Sequence, residues 1–167
     1  MIAEEQERIF VEWMKDHQGI FYKIANTFAE GNQIEDLVQE LRLAVWKSIP
    51  KYTNKSKPST FIYRVCLNRA LSLQRKDASY HQKLEAYRTH VDVTTSSEGP
   101  NPLLDRIYTE IKKLTPLDRS IILLHLEGWS YQEIAENFDM SVNLIGVRLN
   151  RIKKQLTNNL GRGSNEL

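Results

Sequence analysis

Cysteine is nearly absent from this sequence. Cys66 is the only one, so an internal disulfide is impossible and a thiolate-rich zinc site is excluded. Long apolar runs are lacking too: none approaches the roughly 20 residues that a helix needs to cross a bilayer. Met1–Phe10 is acidic and has no apolar core of the kind an export signal carries. There is no Gly-rich phosphate loop and no nucleophile motif, and His17, His81, His90 and His125 stand in no metal-ligand spacing. These absences point away from export, membrane insertion, a bound metal or other cofactor, and catalysis. They leave the cytoplasm as the expected compartment.

Glycine and proline are sparse, seven and five in 167 residues, so helices can run long. Helical periodicity dominates and no alternating strand pattern is found, which predicts an all-α fold. The spacing predicts helices over Glu4–Asp16, His17–Glu30, Ile34 to just before Pro50, and a fourth capped by Ser59 or Thr60 and ending at Lys76. Beyond the Thr-, Ser-, Gly- and Pro-rich stretch His90–Pro102, four more are expected: Pro102–Leu114, Pro116–Glu127, Ser130–Asn137 and Val142–Asn158. The expected architecture is two small helical domains, residues 1–76 and 102–160. Residues 77–101 would form a flexible linker and residues 161–167 a flexible tail.

Acidic residues are missing from one stretch. Ile49–Lys76 holds seven basic residues and no acidic one, whereas Met1–Ser48 carries a net −4. Asp77–Met140 is again acidic at −5, and Ser141–Leu167 returns to +4. Two basic blocks on an acidic body suggest two places where a polyanion docks; the plainer alternative is a pair of solvated faces.

The second block carries the sharper local signal. Gly128-Trp-Ser-Tyr-Gln-Glu-Ile-Ala-Glu-Asn-Phe-Asp-Met-Ser141 opens with the capping-box pair Ser130 and Glu133. Ser141 can then cap a basic amphipathic helix whose stripe Ile145, Leu149, Ile152 and Leu156 should face a core. A short helix, a tight turn and a longer helix make a helix-turn-helix, the second helix of which enters a DNA major groove. Its outer face offers Asn143, Val147, Asn150, Arg151 and Lys154: amides and arginine for base edges, lysine for phosphates, valine for a thymine methyl. An ordinary bundle helix is the competing interpretation.

In the first block, Ile62, Cys66 and Leu73 share one face while Arg64, Asn68 and Arg75 lie nearly opposite. The preceding loop gathers Lys51, Tyr52, Asn54, Lys55, Lys57, Ser59 and Thr60, cations with an aromatic that suit phosphates and unstacked bases. One helix earlier, Ile34, Leu37, Val38, Leu41 and Val45 form a core stripe, yet Leu43 and Trp46 fall on the far side near Gln39. That is either a partner surface or a helix buried on two sides.

Asp36-Leu-Val-Gln-Glu40 with Trp46 resembles the polymerase-binding signature of the extracytoplasmic-function class of bacterial sigma factors. Ser59-Thr-Phe-Ile-Tyr-Arg-Val-Cys-Leu-Asn68 is similar to that family's promoter-melting helix. Leu114-Thr-Pro-Leu-Asp-Arg-Ser-Ile-Ile-Leu-Leu124 and the helix-turn-helix resemble its second DNA-binding domain. The resemblance covers nearly the whole chain in family order. It implies a non-catalytic specificity subunit, monomeric when free, with regions 2 and 4 as its two domains. Its partners would be core RNA polymerase (the largest-subunit coiled coil and the flap region), promoter DNA, and an inhibitory anti-sigma factor.

The polymerase contact would fall to Asp36, Leu37, Gln39, Glu40, Leu43 and Trp46. The −10 element would meet Lys51, Tyr52, Asn54, Lys55, Lys57, Ser59, Thr60, Arg64, Asn68 and Arg75. The −35 element would meet Ser141, Asn143, Val147, Arg148, Asn150, Arg151, Lys153 and Lys154. Phe61, Leu144 and Gly146 depart from the common Trp, Thr and basic residue, so the −35 sequence cannot be copied from relatives. A conventional helix-turn-helix regulator would account for Ser130–Lys154 but not for the acid-free block. A pure interaction protein would not need two basic faces.

Overall fold

The computed structural model describes residues 1–85 and 101–162, which form eight α-helices, one 3-10 turn and no strand. The chain divides into two compact units, Met1–Ser96 and Ser97–Leu167. The stretch 86–100, which includes most of the expected linker, lies outside the described residues, as do residues 163–167 of the expected tail.

The first unit contains α1 (Ala3–Asp16), α2 (Gln18–Phe28), α3 (Gln33–Ser48) and α4 (Pro58–Glu85). Helix α2 stops at Phe28 because Ala29 turns extended, and the chain then reverses through Gly31 at φ 56°, a left-handed conformation that costs glycine little. The core is a three-helix contact. Phe21, Ile24 and Phe28 of α2 meet Val38, Leu41 and Val45 of α3 and Ile62, Cys66 and Leu67 of α4, all buried. Each large side chain so buried contributes about 1.5–3 kcal/mol. Trp13 is the buried residue that α1 supplies.

Two expectations for α4 need correction. Ser59 and Thr60 do not cap it: Pro58 begins the helix, and Phe61 N–H already donates to the Lys57 carbonyl at 3.1 Å. Proline is favoured at a first helical position, where its missing N–H costs nothing. Nor does the helix end at Lys76. Asp77–Glu85 contains neither glycine nor proline, and the helix runs on to Glu85 despite the change in charge.

The second unit is α5 (Pro102–Lys112), α6 (Pro116–Leu126), α7 (Tyr131–Phe138) and α8 (Val142–Arg162). Each helix start is written in side chains. Asn101 Oδ1 accepts from Leu104 N–H at 3.3 Å, Thr115 Oγ1 from Asp118 N–H at 3.3 Å and Ser141 Oγ from Leu144 N–H at 3.1 Å. The Ser130–Glu133 capping box is reciprocal, at 3.1 and 2.8 Å. Gly128, at φ 87°, makes the turn before α7, and Asp139, left-handed at φ 54°, makes the turn after it. Aspartate is one of the few side chains that tolerates this conformation. Ile121, Leu124, Ile134, Ile145, Leu149 and Ile152 close the core. Helix α8 extends to Arg162, so Gly161 and Arg162 belong to its last turn and not to a tail.

Candidate nucleic-acid and partner interfaces

Helix α3 presents both a buried and an open side. Val38, Leu41 and Val45 are buried as expected, while Leu37 is half-buried. Asp36 and Gln39 are exposed, and Leu43 is 46% exposed. The two off-stripe apolar residues part company. Trp46 packs edge-on against Phe10 at 5.2 Å, and its carbonyl accepts from Gln6 Nε2 at 2.7 Å, whereas Leu43 stays open. Between α1 and α3 lies a groove of about 700 Å³ lined by Phe10, Met14, Gln39, Arg42, Leu43 and Trp46 among others. Glu40, expected to face a partner, forms a 2.7 Å ion pair with Arg69 of α4. Its first task is joining two helices.

The acid-free block forms a loop, residues 52–57, and the front of α4. Lys51, Asn54, Lys55 and Lys57 are exposed, with Asn54 in the left-handed conformation at φ 59°. Tyr52 is not a free aromatic. Its ring packs 5.0 Å from both Trp13 and Phe61, and its hydroxyl donates to the Ser56 carbonyl at 2.7 Å. It builds the loop's floor, with Phe61 filling the position where a tryptophan is common. Ser59 and Thr60 are half-buried in the first turn of α4. Asn68 and Arg75 are exposed, and Arg64 is half-buried with its Nε shut from water. Cys66 lies in the core, where burial pushes its thiol well above the ordinary range. It is a packing residue.

On α8, Ile145, Leu149 and Ile152 are buried and Leu156 is half-buried. The outward row Asn143, Val147, Asn150 and Lys154 recurs every three or four residues and is exposed, Val147 at 58%. Lys153 is exposed on the flank towards His125, and Gly146 lies against the Tyr131 ring, which a Cβ would meet at 3.6 Å. The two arginines expected at the −35 element, Arg148 and Arg151, are each bound within the unit. Arg148 Nη1 donates to Asp118 Oδ1 at 2.7 Å and Arg151 Nη2 to Asp118 Oδ2 at 3.0 Å. Asp118 is a buried carboxylate, 5% exposed, at the start of α6. Sequence reasoning missed it because an acid in the first turn of a helix is already explained by the helix dipole. Next to it, Arg119 donates to the carbonyls of Leu114 at 2.9 Å and Lys112 at 2.5 Å, tying α6 to the end of α5.

Among the described residues no helix is long and apolar enough to cross a membrane, and no cluster of three or more His, Cys, Asp or Glu could hold a metal.

Two family models match in succession. Sigma-70 region 2 aligns with residues 13–80 of the first unit, and sigma-70 region 4 with residues 104–156 of the second. The chain belongs to the sigma-70 family. Its relatives include the ECF RNA polymerase sigma factor SigE of Mycolicibacterium smegmatis, 28% identical across 93% of this chain and 63% of that protein. The ECF RNA polymerase sigma-E factor of Haemophilus influenzae is 28% identical across 95% of this chain and 91% of its own length. The chain is thus an extracytoplasmic-function sigma factor by family, spanning somewhat less than two thirds of the mycobacterial protein. In fold it is similar to the sigma factor RpoE of Bartonella quintana, solved in complex with the anti-sigma factor NepR (TM-score 0.75, 18% identity, 92% of this chain and 98% of that one). It is also similar to CnrH, solved with the cytosolic domain of CnrY (TM-score 0.60, 18% identity, 93% and 90%).

Proposed function

We infer that this sigma factor directs RNA polymerase to specific promoters and opens them, acting as a non-catalytic subunit in the cytoplasm. The observation that carries this is the order of region 2 and region 4 along one chain, each bearing its own basic surface. Polymerase core docks on α3 through Asp36, Gln39 and Leu43 and on the neighbouring groove, where an apolar floor meets polar rims. The −10 element is taken by the loop after α3, where Lys51, Lys55 and Lys57 hold the backbone and Asn54 meets the bases. The −35 element is read as duplex by Asn143, Val147 and Asn150, with Lys153 and Lys154 on the phosphates. One similar structure was solved with the anti-sigma factor NepR and the other with the cytosolic domain of CnrY, and an anti-sigma factor covering the polymerase-binding surfaces is the corresponding partner proposed here.

Purified protein mixed with bacterial core polymerase tests this reading. A stoichiometric complex should form and start RNA synthesis at selected promoters, with thymines near the start site becoming permanganate-reactive. Lys55→Ala with Lys57→Ala should reduce that reactivity more than it reduces complex formation. A chain that binds DNA but never joins core polymerase would be a conventional regulator, and the reading would fail.

A further inference from the structure

Asp118 is placed with more care than a dipole-complementing acid requires. Its backbone N–H donates to Thr115 Oγ1 at 3.3 Å, which fixes it at the third position of α6. Its two carboxylate oxygens each take one arginine from successive turns of α8, Arg148 at 2.7 Å and Arg151 at 3.0 Å. The arginine side chains differ in depth: Arg148 is 26% exposed with its Nε shut from water, whereas Arg151 is 62% exposed. One hydrogen bond to each oxygen of a single buried anion, from arginines one turn apart, ties α8 to α6 and sets the direction in which the two guanidinium groups point. Meanwhile the side chains of Asn143, Asn150 and Lys154 have no hydrogen-bond or ion-pair partner among the described residues.

We propose that Asp118 is a positioning residue that withholds Arg148 and Arg151 from DNA phosphates, so that −35 discrimination rests on Asn143, Val147 and Asn150. The inference depends on α8 being the −35 reader. Its physical logic is a ratio. Cations beside a reading row strengthen binding to every duplex alike, because phosphates carry no sequence, and therefore dilute the preference that base-edge contacts create. A buried carboxylate on α6, paired with the α8 arginines, removes about one unit of positive charge without adding an exposed anion to the row Asn143, Val147 and Asn150. Arg148 is the inner, structural partner; Arg151, the more exposed, is the one able to swing away when the Asp118 carboxylate is replaced by a neutral amide.

The test uses holoenzyme made from the full chain and core polymerase, titrated over a salt series against promoters with a selected or a scrambled −35 sequence. Asp118→Asn keeps the side chain's shape and removes its charge. The salt dependence should steepen by about one unit of slope, and the preference for the selected sequence should fall several-fold. Adding Arg151→Gln to Asp118→Asn should return the slope to that of the parent, a reversal that a purely structural role of Asp118 would not produce. Arg151→Gln alone should lower the slope by less than half as much as Lys154→Gln, because its charge is already largely taken. That comparison decides the matter where circular dichroism shows Asp118→Asn to have lost helix. An unchanged or shallower slope in a natively helical Asp118→Asn variant would overturn the proposal, as would equal effects of Arg151→Gln and Lys154→Gln. Parent holoenzyme that does not distinguish the two −35 sequences would instead remove α8 as the reader, and the clamp's role with it.

Discussion

The two units treat their cations in opposite ways. In region 2, Lys51 at the end of the 3-10 turn Ile49–Lys51 stands exposed, as do Lys55 and Lys57 on the following loop, whose floor is the Trp13–Tyr52–Phe61 cluster, in a stretch with no acid at all. In region 4, two of the basic residues on α8 are held by one buried carboxylate, and the exposed row is two amides, a valine and a lysine. The count of positive charges in a segment is therefore a poor guide to the charge offered to a ligand. The first surface suits sequence-tolerant capture of strand backbone and unpaired bases; the second suits base edges in an intact duplex. On the loop of the first unit the lysine charges lie outside the fold, whereas on α8 of the second two arginine charges are tied into its packing.

The sharpest way to break this contrast is to remove the tie. Asp118→Ala should destabilise the second unit by about 3 kcal/mol, towards the lower end for breaking a buried ion pair because Arg151 can turn into water. Arg151→Ala should cost only about 1 kcal/mol, since Arg148 still satisfies the carboxylate. Chemical denaturation of the full chain, followed by region 4 helicity, distinguishes the two. Equal losses would mean that Asp118 depends on both arginines and that neither is free to move.

Next in size are effects on DNA. Asn150→Ala should cost about 1–3 kcal/mol at the preferred −35 sequence and relax base choice at one position. Lys154→Ala should weaken all sequences about equally and flatten the salt slope by about one unit. Selection from randomised −35 DNA with holoenzyme at two salt concentrations measures both. Tyr52→Phe should cost about 0.5–1.5 kcal/mol through loss of the hydroxyl bond to the Ser56 carbonyl, and should slow promoter opening while leaving −35 binding alone. Opening at the parental rate would show that the loop does not rely on that floor.

What was legible in the sequence was local. The capping box at Ser130 and Glu133, the Ser141 cap and the stripe Ile145, Leu149, Ile152 depend on neighbours within a turn or two, and all stand as their spacing implies. What escaped depends on partners distant in the chain. Asp118 meets arginines 30 and 33 residues away, and Glu40 meets Arg69 at a separation of 29. Tyr52 read as an available aromatic because nothing in its own loop reveals Trp13 beneath it. The end of α4 is hidden for a different reason: a reversal of charge at Asp77 marks a change of surface, and without a glycine or proline it does not interrupt the helical backbone.

The smallest expected effect concerns protons. His125, at the end of α6, packs edge-on to Tyr131 at 5.9 Å, and its pKa is held below the ordinary histidine value by burial first and by the Lys153 charge second. Both causes disfavour the imidazolium in the folded state, so the unfolded chain binds the proton more readily. The stability this contributes is present above the unfolded pKa of about 6.5 and is lost as pH falls through the lower folded value. Region 4 should therefore unfold slightly more easily in mildly acidic solution, with a proton uptake on unfolding of less than one. His125→Gln should remove that slope in thermal scans taken across the range, and Lys153→Gln should lessen it without abolishing it. A slope unaffected by either change would place the pH dependence elsewhere. A slope removed entirely by Lys153→Gln would show that charge, and not burial, governs this side of α8, making it a second point at which the cations of region 4 are tied to its packing.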